Sequence, residues 1–368
     1  MAGQSPPRVG GREVVPGRSS YHASSIRANG TFKRTAPAEA RVYALEFAGE
    51  ADTFAATEAE VAATDAEVVA PGVGVARCLD ERRARRLAYT RAVSRLLGET
   101  DADIATARES LDAAVGDGPE ESGQTVAVHA RDVRATASID TQRAERALGT
   151  VLVDHGYEVD LDDPDRELRA LFAGDQCLLG WLTVESVRDF GARAPTDRPF
   201  FQPGSMAPLD ARAYANLAGA GPDRTILDPM CGTGGLLVEA GLAGSRVIGV
   251  DAQSKMVDGS RENLTAYLDG EFRLVRGDAT RLPVSAEAVD GVVFDAPYGR
   301  QSKIANHALD DLVGGTLREA AHVASRCVLV ADRDWTETAT AAGWRVEASF
   351  ERRVHASLVR HVLVLDAE

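Results

Sequence analysis

Residues Val292-Val-Phe-Asp295-Ala296-Pro297-Tyr298-Gly299-Arg300 end an apolar run on a carboxylate and place an aromatic ring three residues later. A carboxylate and the peptide carbonyl of the next residue can both accept hydrogen bonds from one exocyclic NH2, while the neighbouring ring stacks on a base. Two such acceptors draw the nitrogen lone pair out of conjugation and aim it at an electrophile. An ordinary polar turn after a strand is the competing reading, and three acidic positions upstream weigh against it.

The first of these is in Thr225-Ile-Leu-Asp228-Pro229-Met-Cys231-Gly232-Thr-Gly234-Gly235, a buried strand that breaks into a glycine-rich turn opening a helix. Glycines let backbone approach a ligand, and a helix N-terminus presents free N–H groups there. A dinucleotide fingerprint needs a glycine where Leu237 stands, and no Gly-Lys-Ser/Thr follows to make a phosphate loop. What remains is an acid at the strand end with Gly-x-Gly four residues on, a spacing suited to a ligand with a cationic amino-acid portion, since Asp228 can face an ammonium and a sulfonium. The plain strand-to-helix turn of an α/β protein is the alternative. Asp251 ends the next strand, where an acid can accept bonds from ribose hydroxyls. Asp278 follows the third and can accept from an adenine amino group, with Ala279 supplying backbone contacts. Each acid alone reads as solvated surface; at successive strand ends they form a series.

These positions need a frame in which strands and helices alternate. From residue 209 on, the pattern predicts helices over 210–219, 235–243, 253–268, 308–324 and 335–342. The strands fall at 224–228, 246–250, 272–276, 289–294 and 326–331, followed by two near 344–351 and 358–365. Such βα repetition implies a doubly wound α/β domain, a parallel sheet ending in an antiparallel pair, with ligands at the carboxyl ends of the strands. Upstream, residues 42–100 read as a small α+β unit with a strand from Val42, a helix over 52–64, strands at 67–70 and 73–79, and a long helix over 80–97. A second α+β unit over 101–188 has strands at 125–130, 168–172 and 177–184, a helix over 140–155, and a small sheet. Pro195, Pro199, Pro203 and Pro208 mark 189–208 as a linker. Residues 1–41, rich in Gly, Pro, Ser and Arg, read as a disordered basic arm or an over-extended gene start.

The 368 residues carry 41 Lys+Arg against 56 Asp+Glu, a formal net charge of -15. That sign argues against a generic basic nucleic-acid binder. Arg8, Arg12, Arg18, Arg27, Lys33, Arg34 and Arg41 against Glu13 and Glu39 make the first 41 residues net positive, so the remainder is still more acidic than the total. Lys33, Lys255 and Lys303 are the only lysines. The combination fits a salt-adapted proteome such as that of a halophilic archaeon; a GC-rich genome gives the same Arg and Ala bias. Cys78, Cys177, Cys231 and Cys327 lie far apart with no CxxC pair, which argues against a zinc site and for a reducing cytoplasm. No apolar stretch is long enough for a membrane span, and a soluble, cytoplasmic monomer is the expectation.

On the motifs at 228–235 and 295–298, residues 200–365 resemble class I S-adenosylmethionine-dependent methyltransferases that act on amino groups; Ala296 replaces the first proline of their Asp/Asn-Pro-Pro-Tyr/Phe/Trp motif. Residues 42–365 as a whole resemble the archaeal tRNA guanine N2-methyltransferases that modify guanosine 10. That resemblance implies a ferredoxin-like module (42–100), a THUMP RNA-binding domain (101–188), a linker (189–208) and a catalytic domain (209–368). Phe201-Gln-Pro-Gly-Ser205-Met-Ala-Pro208-Leu-Asp-Ala-Arg212 resembles the segment that closes over the cofactor in that family. It implies S-adenosylmethionine held by Ser205, Asp228, Pro229, Cys231, Gly232, Gly234, Gly235, Asp251, Ala252, Asp278 and Ala279, and no metal. Catalysis falls to Asp295, Ala296, Pro297 and Tyr298, acting on a guanosine flipped out of tRNA. Arg131, Arg134, Arg143, Arg188, Arg193 and Arg300 are the expected RNA contacts. The rivals are an N6-adenine or other RNA or DNA amino-methyltransferase, a non-catalytic tRNA-binding protein, and an NAD-dependent oxidoreductase. One methyl or two stays open.

Overall fold

A computed structural model describes residues 42–116, 118–119, 121–298, 306–355 and 358–367. The arm at 1–41 and Arg300 lie outside them.

The amino-terminal half is built on one eight-stranded sheet of order β2-β3-β1-β4-β8-β7-β5-β6. Its elements are β1 (Val42–Phe47), α1 (Asp52–Ala59), β2 (Thr64–Ala70), β3 (Val73–Arg77), α2 (Glu81–Ala84), β4 (Thr90–Asp101), α3 (Ile104–Val115), β5 (Thr125–Asp132), α4 (Thr141–Asp154), β6 (Glu158–Val159), β7 (Arg166–Ala173) and β8 (Gln176–Glu185). The long helix expected over 80–97 is not there: one turn, α2, precedes strand β4. Arg91 and Arg95 face solvent, whereas Thr90, Ala92 and Ser94 are buried on one face and Val93 on the other, a two-residue period interrupted only at Val93. β4 is paired on both sides, with β1 and β8, so tertiary hydrogen bonding overrides the helix propensity of its Ala, Arg and Leu residues. Through β4 the two α+β units read from the sequence share this one sheet, larger than the small sheet expected of the second. Helix α3, absent from the sequence reading, starts at Asp103, whose side chain accepts from the N–H of Ala105 (2.7 Å) and Thr106 (3.1 Å).

The carboxyl-terminal half comprises α5 (Pro208–Leu217), β9 (Thr225–Asp228), α6 (Gly235–Leu242), β10 (Arg246–Asp251), α7 (Ser254–Tyr267), β11 (Phe272–Arg276), β12 (Gly291–Asp295), α8 (Asn306–Val323), β13 (Arg326–Ala331), α9 (Thr336–Ala341), β14 (Trp344–His355) and β15 (Leu358–Ala367). Their sheet has the order β11-β10-β9-β12-β13-β15-β14, with every strand parallel except β15, which runs antiparallel to both its neighbours, β13 and β14. The doubly wound α/β expectation holds nearly element for element. Central strands such as β12 and β13 are apolar on both faces because helices cover both. Chain order reverses between β9 and β12, which places a crevice beyond their carboxyl ends.

The two halves meet on an aromatic cluster. The fully buried Phe54 ring of α1 stands edge-on to Tyr89 (5.1 Å), Tyr214 (5.9 Å) and Phe350 (5.1 Å). Beside it the buried Glu58 carboxylate accepts from the N–H of Ala88 and Tyr89 and from Asn216 Nδ2 of α5, each at 2.7 Å. One carboxylate thus ties α1, the approach to β4 and the first helix of the second half together.

Candidate active site

β9 ends on Asp228, 2% exposed, with Oδ1 accepting from Met230 N–H at 3.0 Å. Burial raises its pKa well above the carboxylate range, and the nearby charges of Asp251 and Asp295 push the same way. The turn that follows carries Gly232 and Gly234 at φ 51° and 77°, the left-handed region. At Gly234, the N-cap of α6, a Cβ would stand 2.3 Å from Ser260 Oγ and 2.7 Å from Leu264 Cδ1, so only glycine lets α7 pack against the turn.

Asp295 ends β12, directly across the sheet reversal from Asp228, and both line one cavity of about 220 Å³. Ser205, Cys231, Gly232 and Gly235 line it too, and the rest of the wall includes Gln202, Met206, Met230, Thr233 and Met256. Ser205 Oγ donates to Gln202 O (2.7 Å) and lies 3.2 Å from Thr233 Oγ1, which pins the 202–206 segment over the glycine turn. Burial pushes the Cys231 thiol up, so it stays neutral. No basic side chain lines the cavity among the described residues.

The remaining expected cofactor positions sit around this cavity rather than on its wall. Asp251 Oδ2 accepts from Gly232 N–H (3.0 Å) and Oδ1 from Gln253 N–H (2.9 Å), so it braces the glycine turn. Asp278 is exposed, with Oδ1 accepting from Thr280 N–H (2.9 Å) and Oγ1 (2.8 Å); the first of these bonds holds its pKa below the usual range. Pro229 and Ala279 are buried, and Ala252 is exposed at the mouth of α7.

Around Asp295 the structure adds partners that the motif alone does not name. Tyr298 Oη donates to Asp295 Oδ1 (2.9 Å) and accepts from Arg360 Nε (3.0 Å) on β15. Ala296 N–H donates to Val330 O of β13 (2.8 Å), which fixes the peptide after the carboxylate, and Pro297 follows in the same turn. Burial lifts the Asp295 pKa to about 6; Arg360 and the Tyr298 bond pull it down, and Asp332 pushes it up. Arg360 is 4% exposed and in register with the buried Val362 and Val364. Its signal in the sequence was a cation on the apolar side of a strand, which requires a buried partner.

The arginines expected on RNA are spread over different partners. Arg193 is 5% exposed and ion-paired to Glu239 of α6 at 2.8 Å and to Asp189, so it is a structural residue and that assignment is corrected. A second arginine, Arg212 of α5, meets the same Glu239 at 2.8 Å. Arg131 pairs with Glu46, and Arg134 with Asp52. Arg188 donates to Ala88 O (2.9 Å), and Arg143 is exposed on the first turn of α4. No described helix is long and apolar enough to cross a membrane, and no described cluster of His, Cys, Asp and Glu is arranged to hold a metal ion.

A sheet of this order, with an acid and glycine turn after its first strand and an Asp-Ala-Pro-Tyr turn after its fourth, defines a methyltransferase of the Rossmann-like class. The UPF0020 family model, described as RMKL-like, methyltransferase domain, matches residues 195–361. Over 289 residues the chain is 34% identical to the tRNA (guanine(10)-N2)-dimethyltransferase of Methanothermobacter thermautotrophicus, covering 77% of this chain and 84% of that protein. The protein of the same description from Pyrococcus abyssi is 30% identical over 244 residues, 64% of this chain and 73% of that one. The tRNA (guanine(6)-N2)-methyltransferase of Thermus thermophilus is 31% identical over 159 residues, 42% and 46% of the two chains. This chain belongs to the tRNA (guanine(10)-N2)-dimethyltransferase family.

Proposed function

We propose that the protein transfers a methyl group from S-adenosylmethionine to the exocyclic N2 of a guanosine in tRNA, at position 10. The observation that carries this reading is the shared cavity: the acids ending the two strands at the sheet reversal, Asp228 and Asp295, line one space with no basic side chain among the described residues. Burial penalises the charge of both carboxylates, so a cationic ligand relieves that penalty where a phosphate would worsen it. S-adenosylmethionine fits this donor set, and when bound it supplies an electrophilic methyl on a sulfonium. Asp228 and the glycine turn hold it, with Ser205, Cys231, Gly232 and Gly235 on the wall and Asp251 bracing the turn; Asp278 and Ala279 extend the site toward the base.

Asp295 receives the target amine. Its Oδ1 is already engaged by Tyr298, which orients Oδ2 for the exocyclic NH2, and the Ala296 carbonyl is the second acceptor. Pro297 and Tyr298 shape the pocket, the tyrosine ring stacking on the flipped base. Ionised above about pH 6, Asp295 is also placed to take the departing proton. Most of the acceleration comes from holding nitrogen, methyl and sulfur in line. The amino-terminal half, read as a ferredoxin-like module and a THUMP domain, delivers the tRNA, with Arg143 and Arg188 among its contacts, in the cytoplasm.

The test is to incubate unmodified tRNA with the protein and a labelled methyl donor in molar salt and analyse the nucleosides. N2-methylguanosine, lost in Asp295→Ala and in a transcript with guanosine 10 replaced, is the expected result. Labelled N6-methyladenosine, or undiminished activity in the variant, overturns the reading. Label that persists after replacement of guanosine 10 refutes the position alone.

A further inference from the structure

The catalytic turn is joined to the amino-terminal half by an unbroken run of polar contacts. Tyr89 Oη donates to Asp210 Oδ1 of α5 at 2.6 Å, Asp210 Oδ2 lies 3.4 Å from Arg360 Nη1, and Arg360 Nε donates at 3.0 Å to Tyr298, which holds Asp295. Arg352 closes the far end: its guanidinium lies 4.1 Å from the Phe54 ring centroid and 4.5 Å from that of Tyr89, and it meets Asp210 at 3.2 Å. Arg360 is therefore gripped from two sides. Asp210 fixes one edge of its guanidinium, and the other edge is aimed at Tyr298.

We propose that Arg360 is a positioning residue for methyl transfer, holding the Tyr298 hydroxyl, and through it the Asp295 carboxylate, in the ionised and oriented state that receives the target amine. This rests on the functional reading above. A buried carboxylate keeps its charge only next to a partner, and among the described residues Arg360 is the one cation in the set of groups that bear on Asp295. Those groups are Tyr298 on its own turn, Arg360 on β15, Asp332 after β13, Asp228 at the end of β9, and Tyr214 on α5. Burial and the Asp332 carboxylate disfavour the charge, so its retention falls to Arg360 and the Tyr298 bond. Arg360 is not among the residues that line the cavity; it acts through Tyr298.

The experiment is the pH dependence of the single-turnover rate on guanosine N2 for wild type, Arg360→Met and Arg360→Lys, with donor and tRNA affinities measured by calorimetry. In Arg360→Met the acid limb moves up by about one pH unit or more, a loss of about tenfold below pH 6, and the plateau falls because Tyr298 loses its anchor. Both affinities stay within about twofold of wild type. Arg360→Lys, which keeps the charge, returns the acid limb toward wild type. A Met variant whose acid limb superimposes on that of wild type, or whose loss is confined to binding, overturns the inference. If Arg360→Met does not fold, Tyr298→Phe cuts the same link while leaving the cation in place; it too must move the acid limb upward, and an unmoved limb overturns the inference. A wild-type protein that makes no N2-methylguanosine sinks the functional reading instead.

Discussion

Alanine placed at the two left-handed glycines of the site turn separates backbone strain from steric crowding. Gly232 and Gly234 have φ of 51° and 77°, so either substitution costs about 1–2 kcal/mol for holding an L-residue there. Their surroundings differ. At Gly232 the nearest atom to a new Cβ is Met230 O at 3.9 Å, an ordinary van der Waals contact, whereas at Gly234 the Cβ meets Ser260 Oγ at 2.3 Å and Leu264 Cδ1 at 2.7 Å. Forcing a methyl into that packed contact adds about 1–3 kcal/mol, so Gly234→Ala loses about 2–5 kcal/mol against about 1–2 for Gly232→Ala. Because Ser260 is the closest clash, Ser260→Ala in the Gly234→Ala background restores part of the loss, and the two changes are non-additive. Urea unfolding at fixed high salt reads these differences as shifts of the midpoint. Equal losses at the two glycines, or strict additivity of the Ser260 change, would refute the packing argument.

Asp295 gives a pH signature in the wild type. Its pKa is raised to about 6, so its carboxylate is present above that pH and lost below, and the single-turnover rate should fall about tenfold per unit below pH 6. Asp295→Asn should lower the plateau by about 100-fold or more at every pH, and a flat profile in wild type would contradict the role given to the carboxylate. Glu239 is the shared carboxylate of two buried arginines, and removing it takes one partner from Arg193 and leaves the Arg212 charge stranded, so Glu239→Ala should cost about 3–5 kcal/mol in chemical unfolding. Arg143→Ala should stay within about 0.5 kcal/mol of wild type and instead weaken tRNA binding at lower salt. With so acidic a body, phosphate neutralisation supplies little of the affinity at molar salt, and binding to tRNA should change little between about one and two molar. A steep loss over that interval would show that charge, not shape and stacking, dominates.

The catalytic half was readable because its strands are apolar on both faces and each is closed by turn residues that also carry the chemistry. Asp228, Asp251 and Asp295 end β9, β10 and β12, one at each strand end, as the spacing implied. The amino-terminal half resisted because its signals are tertiary. Residues 90–101 have the Ala, Arg and Leu content of a helix, and pairing with β1 and β8 decides the matter. Arg193 looked like surface charge because its partner Glu239 is 46 positions away and on another element. Arg360 was legible in part: the buried register of Val362 and Val364 runs through it, but only the fold shows that Tyr298 lies opposite.

The central claim is that a carboxylate at the end of β12 receives a nucleobase amine beside the methyl donor bound after β9. A crystal structure with S-adenosylhomocysteine measures this directly. The thioether sulfur should lie in the cavity shared by Asp228 and Asp295, turned toward Asp295. A ligand seated elsewhere, or a sulfur facing away from Asp295, would contradict it.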